Sequence, residues 1–277
     1  MTDFPRVEGV EHRFVEAGGL RVHVAEAGEG EPLLLLHGWP QHWFQWRGVM
    51  QRLGGERRLI APDLRGFGWT DAPPGPIDTD VFVTDVVALL DALGLDRVDV
   101  AGHDWGGFTT LLLAARHPSR VRKAVALSAP HPWVEVTPRL ALETWRAWYA
   151  LPLAAGLLER DVRLAAWFIR REGVPAEDVE IYAERLREPA RASATTRLYR
   201  SYLRTVAATV RGAAPEPHTS VPTLLMIGER DMAVTPKLAA GIERGGDDMR
   251  SERIPGAGHF VCDTHAHVVA ERLRSFL

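Results

Sequence analysis

The chain has 277 residues, of which 46% are hydrophobic and 25% charged, a composition ordinary for a globular protein with one sizeable core. Its net charge of −3 and its scattered arginines offer no basic surface for nucleic acid, and no uncharged run approaches the ~20 residues that a membrane span needs. Cys262 is the only cysteine, which excludes an internal disulfide, and the first residues lack the pattern of a signal peptide, so we expect a cytoplasmic protein.

Short apolar runs alternate with helical patterns through the first half of the chain. An alternating strand is predicted over residues 19–27, paired with a strand near 13–15. Further short strands are predicted over 33–36, 59–61, 98–101 and 124–127, and helices over 81–93 and 108–115. This alternation predicts an α/β fold with a doubly wound, mostly parallel sheet.

The alternation stops between about residues 131 and 217. This part shows only helical stretches, over 144–151, 163–171 and 192–210. Strands return at 223–227 and 251–254, and an amphipathic helix is predicted over 266–276. We therefore predict a core made of residues 1–130 and 218–277, interrupted by a helical cap over 131–217 that lies above the C-terminal edge of the sheet.

One segment between a predicted strand and a predicted helix has the form of a nucleophile elbow. It reads Gly102-His103-Asp104-Trp105-Gly106, with aspartate where most elbows of the form G-x-Nu-x-G carry serine. A carboxylate is already an anion at neutral pH and needs no base to remove a proton. Its natural target is a saturated carbon with a leaving group, where attack forms an alkyl ester of Asp104.

An aspartate and a histidine follow the last two predicted strands. Asp231 comes after the apolar run 223–227, and His259 lies on a glycine-rich loop after 251–254. Alone, Asp231 would read equally well as a helix cap, and His259 as a buried structural histidine. Their order after Asp104, each at the C-terminal end of a strand, favours a catalytic acid and base.

An oxyanion hole is predicted on both sides of the elbow. The segment His37-Gly38-Trp39-Pro40 follows the buried strand 33–36, where such folds place one backbone N–H of the hole. The second N–H comes from Trp105, at the start of the helix after Asp104.

Three motifs resemble those of the epoxide hydrolases within the α/β-hydrolase superfamily, in the branch with an aspartate nucleophile that also contains the haloalkane dehalogenases. They are His-Gly-Trp-Pro at 37–40, Asp-Leu-Arg-Gly-Phe-Gly at 63–68 and Asp-Trp-Gly-Gly at 104–107. The similarity extends from about residue 14 to residue 277. It implies an α/β-hydrolase fold with an inserted cap and a cis Trp39–Pro40 bond. No cofactor or metal is expected, because the nucleophile, acid and base are all protein groups.

The resemblance also implies two cap tyrosines that hydrogen-bond to the epoxide oxygen. Ring opening produces an alkoxide, a poor leaving group that needs a donor such as a neutral phenol. Tyr149, in Trp148-Tyr149, matches the first, and Tyr199, in Leu198-Tyr199-Arg200, matches the second, with Tyr202 as the alternative. The expected reaction converts an epoxide to a vicinal diol through an ester that water, activated by His259, hydrolyses.

Two other functions remain open from the sequence. A haloalkane or haloacid dehalogenase uses the same nucleophile, and Trp105 would suit a halide as well as an epoxide. However, Trp39 differs from the Asn or Glu common in haloalkane dehalogenases, and fluoroacetate-type enzymes carry arginine where this chain has Trp105. The third function is a non-catalytic ligand-binding protein with the same fold.

The substrate expected from the apolar aromatic residues near these motifs is a small hydrophobic epoxide, with no nucleic-acid or membrane partner. The oligomeric state is left open, a homodimer included. The residues expected to line the substrate pocket are His37, Pro40, Phe44, Trp148, His131 and Tyr202.

Overall fold

The computed structural model describes residues 4–134, 148–211 and 216–277, and an eight-stranded sheet runs through them. The strands are β1 (Glu11–Ala17), β2 (Leu20–Ala27), β3 (Pro32–Leu36), β4 (Arg58–Pro62), β5 (Val98–His103), β6 (Val121–Leu127), β7 (Thr223–Gly228) and β8 (Met249–Ile254). The α-helices of these ranges are α1 (Arg47–Leu53), α2 (Thr79–Ala92), α3 (Trp105–Arg116), α4 (Ala150–Ala154), α5 (Arg163–Arg171), α6 (Ala176–Leu186), α7 (Pro189–Val210), α8 (Val261–Thr264) and α9 (Ala266–Phe276). Short 3₁₀ turns cover Trp43–Trp46, Pro118–Arg120, Leu157–Glu159, Pro236–Leu238 and Ile242–Gly245.

The strand order is β1-β2-β4-β3-β5-β6-β7-β8. Strands β1 and β2 form an antiparallel hairpin, and β2 also pairs antiparallel with β4. All later neighbours in this order, from β4–β3 to β7–β8, pair in parallel. The predicted doubly wound, mostly parallel α/β fold is confirmed. Because parallel strands share one direction, the loops after β3, β5, β7 and β8 meet at the same edge of the sheet.

The sheet is buried on both faces, which explains the uninterrupted apolar run of β3. Leu34 and Leu36 pack with apolar residues of α2 and α3 on one face. Leu33 and Leu35 pack with α1 and α9 on the other, since successive side chains of a strand point to opposite faces. All four leucines are fully buried. Continuous apolar strands of this kind are typical of the middle of a parallel sheet.

A long insertion separates β6 from β7, as predicted, and its described helices are α4 to α7. The predicted helix over 163–171 corresponds to α5, and the one over 192–210 lies within the longer α7. Helix α6 was not predicted. Half of the helix predicted over 144–151 lies outside the described residues, and its last two residues begin α4. The division of the chain into 1–130, 131–217 and 218–277 stays a prediction.

Hydrogen bonds join the insertion, called the cap below, to the core. The indole Nε1 of Trp39 donates to Thr195 Oγ1 at 3.1 Å, which places α7 directly above the loop after β3. On another side, the Tyr182 hydroxyl of α6 donates to Asp263 Oδ1 at 2.8 Å. The cap is therefore held over the edge where the strand-end loops meet.

None of the helices described is both long enough and apolar enough to cross a membrane. The cellular location and the oligomeric state stay predictions.

Candidate active site

Asp104 occupies a strained turn between β5 and α3. Its φ angle is +51°, in the left-handed region that non-glycine residues rarely adopt. A Cβ on Gly102 would overlap the carbonyl oxygen of Gly106, and a Cβ on Gly106 would overlap that of Leu36. The two glycines thus allow the backbone to turn sharply and present the Asp104 side chain at the N-terminus of α3.

Two backbone N–H groups already bind the carboxylate. The N–H of Trp39 donates to Asp104 Oδ2 at 2.9 Å, and the N–H of Trp105 also hydrogen-bonds to this side chain. The loop that carries Trp39 is held by His37, whose Nε2 accepts from the N–H of Leu64 at 2.8 Å. The Trp39–Pro40 bond is cis, as the resemblance implies. Oδ2 of Asp104 is therefore bound from the loop after β3, while Oδ1 lies on the side of His259.

His259 lies between the two aspartates. Its Nδ1 is 3.0 Å from Asp231 Oδ2 and 3.1 Å from Oδ1, and its Nε2 is 3.8 Å from Asp104 Oδ1. Asp231 Oδ1 also accepts from the N–H groups of Ala233 and Val234 at 2.9 and 2.8 Å, so the residue caps a turn while it holds the imidazole. The arrangement orients Nε2 toward the space above Asp104.

Asp104 and His259 both have shifted pKa values. Burial raises the pKa of Asp104 to about 6, although His259 and the N–H groups of Trp39 and Trp105 oppose the shift. Burial alone would lower the pKa of His259, but the carboxylates of Asp231, Asp104 and Glu172 outweigh it and raise the value to about 9. At neutral pH the resting site therefore pairs an ionised Asp104 with a protonated His259.

A mostly apolar cavity opens above Asp104, between the core and the cap. The cavity is lined by Trp39, Asp104, Tyr149, Phe168, Glu172, Tyr199, Met232, Ala233, His259 and Phe260. A small apolar space with a few polar groups is typical of a site for a hydrophobic small molecule.

Among the described residues, no group of three or more His, Cys, Asp or Glu side chains is arranged to hold a metal ion.

Two cap tyrosines reach this cavity. The rings of Tyr149 and Tyr199 lie 5.9 Å apart between centroids. Burial, together with the nearby charge of Asp104, raises the pKa of both phenols well above 10, so both are neutral hydrogen-bond donors. Tyr202 packs against Trp105 with ring centroids 5.8 Å apart and does not line the cavity. Of the two alternatives for the second tyrosine, Tyr199 lines the cavity, and its role stays a prediction.

Comparison with known proteins agrees with this architecture. A family model described as the alpha/beta hydrolase fold matches residues 31–266. The chain belongs to the α/β-hydrolase fold family. The AB hydrolase superfamily protein YfhM of Bacillus subtilis is 30% identical over 98% of this chain and 99% of its own length.

This α/β-hydrolase is also similar to epoxide hydrolases. The soluble epoxide hydrolase of Corynebacterium sp. is 45% identical over 105 residues, 38% of this chain and 37% of that protein. The sequence matches to the named epoxide hydrolases cover only 34–42% of those proteins. The solved structure of epoxide hydrolase CorEH without ligand aligns with a TM-score of 0.78 at 26% identity, covering 96% of this chain and 98% of that one.

Three residues expected in the pocket of this α/β-hydrolase do not line the cavity above Asp104. His37 uses both ring nitrogens within the core, since its Nδ1 also lies 3.0 Å from the carbonyl oxygen of Gly38. Pro40 is buried in the same loop. Phe44 lies under the guanidinium of Arg47, 4.3 Å from its ring centroid, and lines a different cavity.

Two further expected pocket residues lie outside the cavity. The Nε2 of His131 is 3.1 Å from the carbonyl oxygen of Ala240, which ties the start of the insertion to the core. Trp148 is 49% exposed and stacks on Phe168, with ring centroids 6.0 Å apart. Phe168 itself lines the cavity, so Trp148 forms the outer layer of this wall.

Five lining residues were not anticipated from the sequence: Phe168, Glu172, Met232, Ala233 and Phe260. The last three adjoin Asp231 and His259 in sequence, and that adjacency could have indicated them. In the cap, Phe168 lies in the last turn of α5 and Glu172 directly follows the helix, where no motif marks them. Only the packing of the cap on the core brings these two to the site.

Proposed function

We propose that this α/β-hydrolase converts a small hydrophobic epoxide to a vicinal diol through a covalent ester on Asp104. The observation that carries the proposal is the pairing of Asp104 with Tyr149 and Tyr199 in one cavity. A carboxylate that attacks carbon and two neutral phenols that bind oxygen are the groups that epoxide opening needs. The relatives named as epoxide hydrolases support the same reaction.

In the first step, Asp104 Oδ1 attacks a ring carbon and the bond from that carbon to the ring oxygen breaks. The departing oxygen receives hydrogen bonds from Tyr149 and Tyr199 and takes a proton from one of them. Solvent then reprotonates that tyrosine. Oδ2 stays bound to the N–H of Trp39, with the N–H of Trp105 beside the same carboxylate, and becomes the carbonyl oxygen of the ester. The product of this step is a hydroxyalkyl ester of the enzyme.

In the second step, water hydrolyses the ester. Esterification removes the negative charge of Asp104, which lies 3.8 Å from His259 Nε2. Without that charge the pKa of His259 falls, and the imidazolium releases its proton to solvent. The neutral imidazole then accepts a proton from water while Asp231 holds Nδ1. The hydroxide attacks the carbonyl carbon, and the two N–H groups stabilise the oxyanion. The acyl–oxygen bond then breaks, and the departing oxygen takes the proton from His259 to give the diol.

The alternative of halide displacement has less support. A halide needs donors directed at it but no proton, so two phenols next to the nucleophile would have no evident use. The Trp105 side chain, the group that would suit a halide, is hydrogen-bonded to Tyr199. A purely ligand-binding role is disfavoured because Asp104, Asp231 and His259 form one connected arrangement.

The test is diol formation by the purified protein from a panel of aryl and alkyl epoxides. We expect diol from the wild type, none from Asp104→Ala, and normal activity from the exposed control Asp96→Ala. The variant His259→Gln is expected to stop at the ester, which intact-protein mass spectrometry detects as the mass of the added substrate. Halide release from haloalkanes, without diol formation from epoxides, would establish the dehalogenase instead. No product in either assay would favour the ligand-binding role.

A further inference from the structure

A cap carboxylate binds the backbone of the catalytic histidine. Glu172 follows directly after α5, and its Oε2 accepts from the N–H of His259 at 2.7 Å. The preceding residue must be glycine for this contact to form, because a Cβ on Gly258 would overlap Glu172 Oε2. The contact therefore depends on Gly258 in the histidine loop as well as on Glu172 in the cap.

The other backbone group of His259 is also bound by a side chain. The Nε2 of His103 lies 2.8 Å from the carbonyl oxygen of His259. A carbonyl only accepts, so Nε2 of His103 carries the proton, and burial keeps this ring neutral by lowering its pKa to about 3. Glu172 of the cap thus binds the N–H of His259, and His103 of the elbow binds its C=O. Asp231 holds its ring.

Glu172 also adds a charge to the catalytic cavity. It lines the same space as Asp104 and His259, so three carboxylates surround one imidazole when Asp231 is included. The groups facing the His259 ring are these three carboxylates and the neutral His103, whose ring centroid is 5.0 Å away. The charge of Glu172 therefore favours the protonated form of His259.

We propose that Glu172 is a positioning residue through which the cap fixes the backbone of His259 and adds a negative charge beside its imidazole. The kinetic part of this proposal rests on the proposed function. A base held in place matters for ester hydrolysis, whereas the attack of Asp104 on substrate does not need a base. Loss of the contact should therefore slow the second step and spare the first.

This separation gives a characteristic kinetic result. In a two-step reaction, kcat/KM reports the formation of the ester, and slower hydrolysis lowers kcat and KM by the same factor. For Glu172→Ala we expect kcat to fall about 10- to 100-fold, as for a lost hydrogen bond to a charged group, with kcat/KM close to wild type. Intact-protein mass spectrometry during turnover should show the ester accumulating.

Glu172→Gln separates the hydrogen bond from the charge. Its amide oxygen can still accept from the N–H of His259, so kcat should stay nearer to wild type than in Glu172→Ala. The matched control is Glu177→Gln, an exposed glutamate in the first turn of α6, which should behave as wild type. An unchanged kcat in Glu172→Ala, or a loss of kcat/KM without ester accumulation, would overturn the positioning role.

A second measurement does not need a substrate. An NMR titration of the His259 imidazole should give a lower pKa in Glu172→Gln than in the wild type, and no change in Glu177→Gln. Equal pKa values in all three proteins would overturn the electrostatic part of the proposal. If no epoxide forms an ester with the wild type, the proposed function fails, while this titration still decides whether Glu172 acts on His259.

Discussion

Replacing Asp104 with asparagine should lower the pKa of His259 by about three units. Asparagine keeps the shape of the side chain but removes the charge that lies 3.8 Å from Nε2, as esterification would. Two unit charges at this distance interact by about 4 kcal/mol at an effective dielectric constant of about 20, and about 1.4 kcal/mol corresponds to one pKa unit. Starting from about 9, the pKa of His259 should fall to about 6.

NMR spectroscopy of protein labelled with ¹⁵N in its histidines measures this value directly. The signals of His259 are assigned by their absence from the spectrum of His259→Gln, and the titration is then compared between the wild type and Asp104→Asn. Intact mass confirms that the new amide has not hydrolysed. The exposed Asp96→Asn serves as the control for the loss of one negative charge elsewhere on the protein.

Under the proposed mechanism, this pKa decides whether His259 can change from a cation to a base between the two steps. A pKa near 9 before alkylation and near 6 after it makes His259 a cation during attack and a base during hydrolysis at neutral pH. A pKa that stays close to 9 in Asp104→Asn would refute this reasoning. It would mean that Asp231 and Glu172 alone keep the ring protonated, and that another group must activate water.

Three further predictions concern the tyrosines, the nucleophile and the elbow. Changing Tyr149 and Tyr199 together to Phe should lower the rate of diol formation about 10²- to 10⁴-fold, because the ring oxygen loses its proton donors; unchanged diol release, followed by chromatography, would contradict their role. The value of kcat/KM should fall as the pH decreases through about 6, since only ionised Asp104 attacks, and a profile flat to pH 5 would exclude a nucleophile with this pKa. Gly102→Ala should destabilise the fold by about 1–3 kcal/mol or more in urea denaturation, because its Cβ would overlap the backbone, whereas Gly55→Ala, with open space around it, should not.

Much of the site could be anticipated because its motifs lie at strand ends. Asp104, Asp231 and His259 each follow an apolar run, and a parallel sheet brings such loops together whatever the intervening sequence. The structure places Asp231 within 3.0 Å of His259, across 28 residues of chain. The roles of these side chains stay proposals, but their proximity follows from the topology.

Side-chain direction and cap packing could not be anticipated in the same way. His37 belongs to the motif of the predicted oxyanion hole, and Phe44 follows it four residues after Pro40. Both side chains nevertheless turn away from the cavity, because Leu64 binds the ring of His37 and Arg47 lies over the ring of Phe44. Glu172 lies 87 residues from His259 and carries no motif. A cap helix is read from its apolar periodicity alone, which does not indicate where its end meets another part of the chain.

Because Trp39 binds only one carboxylate oxygen of Asp104, the two oxygens have different fates in the proposed reaction. Oδ2 accepts from the N–H of Trp39, while Oδ1 lies 3.8 Å from His259 Nε2. Under the proposed route, Oδ1 leaves with the diol in every cycle, and the oxygen of the hydrolytic water takes its place. In isotopically labelled water, the first diol from each molecule would thus carry an unlabelled oxygen, and each later diol the oxygen acquired one cycle earlier. The carboxylate of Asp104 would take up one oxygen atom from water in each cycle and release it in the diol of the next.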